Sequence, residues 1–247
     1  KDAVYCYEFR NETDSWPFGG DNANTANRYT SALKATYLGL RDADPSGKYY
    51  KIATNGISSI DRAEYIDQML ANDIGAYFDI YNTHMYELPV DCPRVSKEHR
   101  SLLSKYGLAG KNRWITEASD CSVRIDLSKR KLEWNAEYEV PETDLNTATV
   151  DIVPDDVREN ITAGRIKSWV YAAESGWEYY FNYCMLYYNE GSLPFGILAP
   201  GITATSTYAG LATYNNLVGH LKYIGRLNPG SNVETHAYSN NNEDVLV

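Results

Sequence analysis

The feature that most constrains the fold of this chain is a repeated alternation of short apolar runs with longer stretches of helical apolar spacing. Residues 3–9 read as a buried strand. Residues 25–42 then place Leu33, Tyr37, Leu38 and Leu40 at helical intervals before Asp44-Pro45 ends the element. The pattern recurs as strand 49–54 and helix 60–72, strand 77–82 and helix 95–106, strand 113–116 and helix 154–174, and aromatic strand 177–187 and helix 205–221. Such alternation builds a parallel sheet covered by helices. Five strand-helix units are legible, and no internal repeat adds to them.

Two glutamates stand where strands give way to polar loops: Glu12 after the first, in Tyr-Glu-Phe-Arg-Asn-Glu-Thr-Asp, and Glu117 after the fourth, in Arg-Trp-Ile-Thr-Glu-Ala-Ser. Residues so far apart in sequence meet only if the carboxyl ends of their strands converge, as in a parallel barrel. Paired carboxyl groups at that place suit cleavage of a glycosidic bond. Between them lies His84-Met85-Tyr86, whose imidazole or phenol can hydrogen-bond Glu117. Glu8 shares strand parity with Glu12 and reads as an inward, structural acid.

Composition narrows the partners. A net charge of −10 repels phosphate backbones, and no Arg or Lys cluster is interleaved with aromatics, so nucleic acid is not expected. No apolar run approaches the roughly 18 residues of a membrane span, so no membrane partner is expected. The 22 Tyr and 5 Trp suit a cleft that stacks sugar rings, although tyrosine also fills ordinary cores. The four cysteines have neither Cys-x-x-Cys spacing nor histidines at ligand spacing, so no metal and no other cofactor is expected. Cys92 and Cys121 follow neighbouring strands and are either bridged or free. Asn160-Ile161-Thr162 is a glycosylation sequon inside a helical stretch.

After Glu117 the rhythm breaks into a polar insertion in which 123–127 and 131–134 alternate like a hairpin. Trp134 in this insertion is a candidate platform for an outer sugar, whereas Trp177 follows Gly176 at a strand start, the wrong end of a barrel for that role.

Taken together, these residues resemble the clan A glycoside hydrolases, retaining enzymes on (β/α)8 TIM barrels, from about Tyr5 to about Leu221. Asn11-Glu12 resembles the pair ending that clan's fourth strand, and the resemblance implies that Glu12 is the acid/base and Asn11 binds the sugar 2-hydroxyl. Residues 78–86 resemble strand six with its His-x-Tyr end, implying substrate contact for His84 and Tyr86. Trp114-Ile115-Thr116-Glu117 resembles strand seven with Glu117 as nucleophile. Strand eight of the clan carries a Trp beneath the sugar; here Phe181, Asn182 and Tyr183 stand near that place, with Phe181 and Tyr183 the candidate substrate contacts. Arg10 and Thr13 also depart from the clan's Trp-Asn-Glu-Pro.

The resemblance implies strands four to eight of the barrel in residues 1–222, then the start of an accessory β-sandwich in 223–247. Strands one to three would come from a separate or preceding segment. The activity implied is retaining hydrolysis of β-glycosidic bonds in poly- or oligosaccharides, outside the cell or in a periplasm. The alternative is a non-catalytic carbohydrate-binding or scaffolding protein on a degenerate barrel.

Overall fold

The computed structural model describes residues 4–15, 25–119, 123–126, 131–134, 155–186, 188–190, 193–199, 202–230 and 233–247. The chain divides into two compact units, one of Lys1–Met85, Arg94–Ala118 and Trp177–Phe181, the other of Tyr86–Pro93, Ser119–Gly176 and Asn182–Val247.

The first unit is built on a five-stranded sheet. Strands β1 (Cys6–Glu8), β2 (Lys51–Ala53), β3 (Ile80–Met85) and β4 (Asn112–Ala118) run parallel in sequence order, and β7 (Tyr179–Asn182) is hydrogen-bonded beside β4. Helices α1 (Thr25–Ala43), α2 (Ala63–Ala71) and α3 (Cys92–Lys105) are the crossovers between the parallel strands. Their buried residues include Tyr29 and Leu33 of α1, Ile66, Met69 and Leu70 of α2, and Val95 and Leu103 of α3. These follow the 3.6-residue spacing of a helix with one face on the sheet.

The end of α1 shows why the chain turns where it does. Asp44 caps the helix with its N–H to the Leu40 carbonyl, and its carboxylate accepts from the N–H groups of Tyr49 and Tyr50. Arg41 in the last turn donates to the Tyr50 carbonyl at 2.8 Å and to the Asp79 carboxylate at 2.7 Å.

That ion pair also explains a difference from the sequence expectation for the third strand, which begins at Ile80 rather than at residue 77. Tyr77 closes a turn on the Ile74 carbonyl. Asp79 spends its carboxylate on Arg41 and on the Ile52 N–H at 3.0 Å, so pairing to β4 starts one residue later. The strand then runs through His84 to Met85, with every residue buried.

A polar group lies deep in this unit. His99 on α3 is fully buried, its Nδ1 2.8 Å from the Tyr81 hydroxyl and its Nε2 3.4 Å from that of Thr83. Desolvation first, and the charge of Arg113 second, lower its pKa to about 3. The unfolded histidine titrates near 6.5, so the unfolded chain binds the proton first and stability is lost as pH falls from about 6.5 toward 3. Between pH 6.5 and 5 the loss amounts to roughly 2 kcal/mol. Urea titrations at pH 7.5 and 5 will show this decline in the wild type and a smaller one in His99→Gln.

The second unit contains α4 (Asp155–Glu174), α5 (Ser206–Val218), the hairpin of β5 (Val123–Asp126) with β6 (Lys131–Trp134), and two further short antiparallel pairs. These are β8 (Tyr188–Glu190) with β9 (Leu193–Phe195) and β10 (Leu198–Ala199) with β11 (Thr203–Ala204). Helix α5 starts at an N-cap, the Thr205 hydroxyl accepting from the Tyr208 N–H. It meets α4 closely at Gly210, where a Cβ would lie 2.9 Å from Thr162 Cγ2.

The tail forms one antiparallel sheet of β12 (Lys222–Gly230), β13 (Val233–Ser239) and β14 (Asp244–Leu246). Arg226 of β12 ties it to the end of α4 by bonding both Glu174 and Glu234. The aromatic run expected as one strand over 177–187 is ordered as β7 for only four residues. Cys184 next turns its thiol to the Leu186 carbonyl at 3.0 Å. Cys6 is half-buried against Ala53, Ile80 and Trp114.

Candidate active site

The carboxyl ends of the first unit's strands carry a compact polar cluster. After β1, Asn11 forms a parallel bridge with Gly56, and the Glu12 N–H donates to the Gly56 carbonyl at 3.1 Å. The backbone is strained here, with φ of 72° at Arg10 and 42° at Glu12, a region that non-glycine residues seldom enter.

Several bonds hold the turn. Ser15 N–H donates to the Glu12 carbonyl at 2.9 Å, Asp14 accepts the Ser58 N–H at 3.1 Å, and the Thr13 and Tyr65 hydroxyls lie 2.6 Å apart. Thr13 is a buried residue of this turn.

His84 comes from β3, its N–H donating to the Ile57 carbonyl at 2.7 Å and its side chain 1% exposed. Its Nδ1 lies 2.8 Å from Glu12 Oε1, a hydrogen bond, and its Nε2 3.7 Å from Glu117 Oε2. The sequence left Glu117 as the acid that histidine would bond; the closer of the two contacts is to Glu12.

Glu117 lies within β4 rather than in the loop beyond it. The β3–β4 ladder pairs Thr83 with Ile115 and then His84 with Glu117, an irregularity that leaves Thr116 as an extra residue on β4. Such a bulge re-aims the side chains that follow it. A carboxylate oxygen of Glu12, one of Glu117 and a ring nitrogen of His84 all lie within 4.8 Å of one another. These donor types also suit a divalent cation, although the Nδ1 of His84 is already engaged by Glu12.

Around this triad stand residues that sequence reasoning either missed or read as structural. Glu8 Oε1 accepts the Gly56 N–H at 2.9 Å. Thr116 donates to Asn82 Oδ1 at 2.9 Å, and the Asn82 N–H donates to the Thr54 hydroxyl at 2.9 Å. Glu8 as a whole residue is exposed at the sheet edge, while its carboxyl group reaches this network. Burial of that group raises its pKa, against the lowering effect of its bonds to Thr116 and Gly56 and of the His84 ring. Asp14 is likewise raised by burial, opposed chiefly by Ser58. Both carboxyls hold protons more tightly folded than unfolded, so each stabilises the fold less as pH rises through its titration, opposite in sign to His99. The inward parity of Glu8 was the available signal; Asn82, Thr116 and Gly56 left none.

The remaining candidates are placed as follows. Asn11 is exposed beside Glu12. Phe181 of β7 is 46% exposed and packs against Trp114 and Tyr179 at 6.0 and 6.2 Å between ring centroids. In the second unit Tyr86 and Tyr183 meet edge to face at 6.3 Å, and both pack on Phe195. Trp134 belongs to β6, its side chain outside the described residues, as is Cys121. Trp177 is buried, its indole N–H donating to Ser96 at 2.6 Å. Asn160 is exposed on α4.

No family model matches the sequence, and no curated protein sequence matches it. Solved structures do. The chain is similar to a family 39 glycoside hydrolase from the gut symbiont Bacteroides cellulosilyticus WH2, with a TM-score of 0.62 and 14% identity over 96% of this chain and 45% of that one. It is similar to a family 51 arabinofuranosidase from Xanthomonas axonopodis pv. citri, with a TM-score of 0.62 and 10% identity over 95% of this chain and 49% of that one. A family 39 β-xylosidase from Caulobacter crescentus gives 0.59 and 14% over 97% and 46%. The chain thus spans a little under half the length of these proteins. The likeness establishes the fold: the five-stranded sheet and its helices correspond to part of a (β/α)8 barrel.

Proposed function

We propose that this chain carries the catalytic carboxylates of a retaining glycoside hydrolase. The observation that supports this best is the approach of Glu12 and Glu117, whose oxygens lie within 4.8 Å. That approach is in keeping with the about 5–5.5 Å between the carboxyl groups of retaining enzymes rather than the about 6.5–9.5 Å of inverting ones.

In the first step Glu117 bonds to the anomeric carbon as the glycosidic C–O bond breaks, and the proton of Glu12 goes to the leaving oxygen. In the second, Glu12 takes a proton from water as its oxygen displaces Glu117 and releases the sugar with retained configuration. His84, bonded to Glu12 at 2.8 Å, orients the acid. Asn11 is assigned to a sugar hydroxyl, for which an amide can both donate and accept.

The substrate class is an oligo- or polysaccharide with β-linked or equivalently oriented bonds, met outside the cell or in a periplasm. A xylosidase and an arabinofuranosidase among the similar structures make aryl β-D-xylopyranosides and aryl α-L-arabinofuranosides the first probes. Among the described residues β1 and β7 are the outer strands of the sheet, and both bear exposed rings: Tyr5 and Tyr7 on and beside β1, Tyr179 and Phe181 on β7. Such edges accept further strands, so we assign strands one to three to an additional segment, and the active protein is the assembly that includes it.

Incubating that assembly with the corresponding 2-deoxy-2-fluoro glycosyl fluorides, then digesting it, will place a covalent glycosyl ester on the peptide bearing Glu117. Turnover without any such ester, or products of inverted configuration, would overturn the reading. The second reading, a carbohydrate-binding protein on a non-catalytic barrel, is favoured by Phe181 and Tyr183 standing where the resembled clan has Trp. That support is the sequence's offering Phe181, Asn182 and Tyr183, and no Trp, near the strand-eight place; the reading predicts sugar binding with neither ester nor turnover.

A further inference from the structure

Gly56 touches Glu8, Asn11, Glu12 and His84 of the cluster. Its N–H donates to Glu8, its carbonyl accepts from the Glu12 N–H, and it bridges Asn11. Its open face lies against His84: a Cβ built on Gly56 would fall 1.9 Å from His84 Nε2 and 2.4 Å from Cδ2. No side-chain carbon tolerates such distances. His84 is 1% exposed and its main chain is fixed in β3 by the bond to Ile57. A substituent at Gly56 therefore leaves the ring no course but to turn out of its place between Glu12 and Glu117.

We propose that Gly56 is the positioning residue of this site: the absence of its side chain is the slot that sets the His84 ring against the acid, and its two backbone groups fix Glu8 and the Glu12 turn. The role follows from close approach and not from conformational freedom, since Gly56 is not among the residues with positive φ. Only the turnover arm of the test below rests on the glycosidase reading.

The test uses Gly56→Ala, His84→Ala and the double variant in the complete protein, with histidine labelled for nitrogen and carbon NMR. His84 is assigned by the resonance lost in His84→Ala. The expected result is that Gly56→Ala shifts the Nδ1 signal of His84 away from its carboxylate-bonded position, while far-ultraviolet circular dichroism is unchanged. With an aryl glycoside, kcat falls on the order of 10²-fold, as displacement of a catalytic group by about an ångström costs. KM changes little. In the His84→Ala background the same substitution costs nearly nothing, because the ring it displaces is gone.

If Gly56→Ala is too unstable to study, the double variant should regain the lost stability, since the clash has lost one partner. An unmoved His84 resonance in a folded Gly56→Ala protein would overturn the proposal, as would a full additional loss in the His84→Ala background or a double variant no more stable than Gly56→Ala. The resonance and stability arms stand whether or not any glycoside is turned over.

Discussion

Replacing Glu117 by Gln is expected to reduce kcat on an aryl glycoside by roughly 10⁴-fold, about 5.5 kcal/mol of transition-state stabilisation. Gln keeps the size and one acceptor oxygen of the side chain but removes the charge that attacks the anomeric carbon in the proposed mechanism. The oxygen within 4.8 Å of Glu12 then belongs to an amide, and the glycosyl ester cannot form. Sugar affinity, followed by the tryptophan fluorescence change on adding substrate, should persist, which separates a lost chemical step from a lost site. Equal turnover in wild type and Glu117→Gln would remove Glu117 from the mechanism. Binding without turnover in both would favour the non-catalytic barrel.

The second large effect is structural. Trp177→Ala is expected to cost about 3–5 kcal/mol, the range for deleting a buried aromatic. The indole is buried, donates to Ser96, meets His99 edge to face at 5.9 Å, and lies under the Arg113 guanidinium, 5.0 Å from the ring centroid. Arg113 is itself buried, and desolvation pulls its pKa down to about 10. Removing the ring takes a cation–π partner from a guanidinium with little water to replace it. Urea titration at neutral pH measures the loss, and Trp177→Phe should recover most of it. A cost below 1 kcal/mol for Trp177→Ala would mean that the surrounding α3 and β4 residues collapse into the space.

The alternation of strands and helices was legible because each element carries its own period: α1 and α3 fall within a few residues of the stretches read from apolar spacing. The third strand was displaced because Tyr77 and Phe78 are as apolar as a strand requires, while the fate of Asp79 depends on Arg41, far away in the chain. Strand β7 came out short for a similar reason: past Asn182 strand propensity persists, but the carbonyls of Cys184 and Met185 accept from the N–H groups of Ile197 and Leu198, distant in the chain.

At the site, Glu12 and Glu117 could be picked out because carboxylates at strand ends are chemically conspicuous. Gly56 could not, since its contribution is an empty space measured against a ring on another strand. Nor could the preference of His84 for Glu12, which depends on how far each strand extends past its neighbour.

The extra residue on β4 has a consequence of its own. In an unbroken ladder His84 would face Thr116, and Glu117 would stand opposite Met85, turned to the other side of the sheet. One residue of slack between Ile115 and Glu117 decides on which side of a wall the Glu117 carboxylate stands. Were Thr116 instead taken into register opposite His84, every side chain of the site would be intact in kind and yet Glu117 would be turned away from Glu12, so the proposed chemistry depends on a single break in the pairing along one strand.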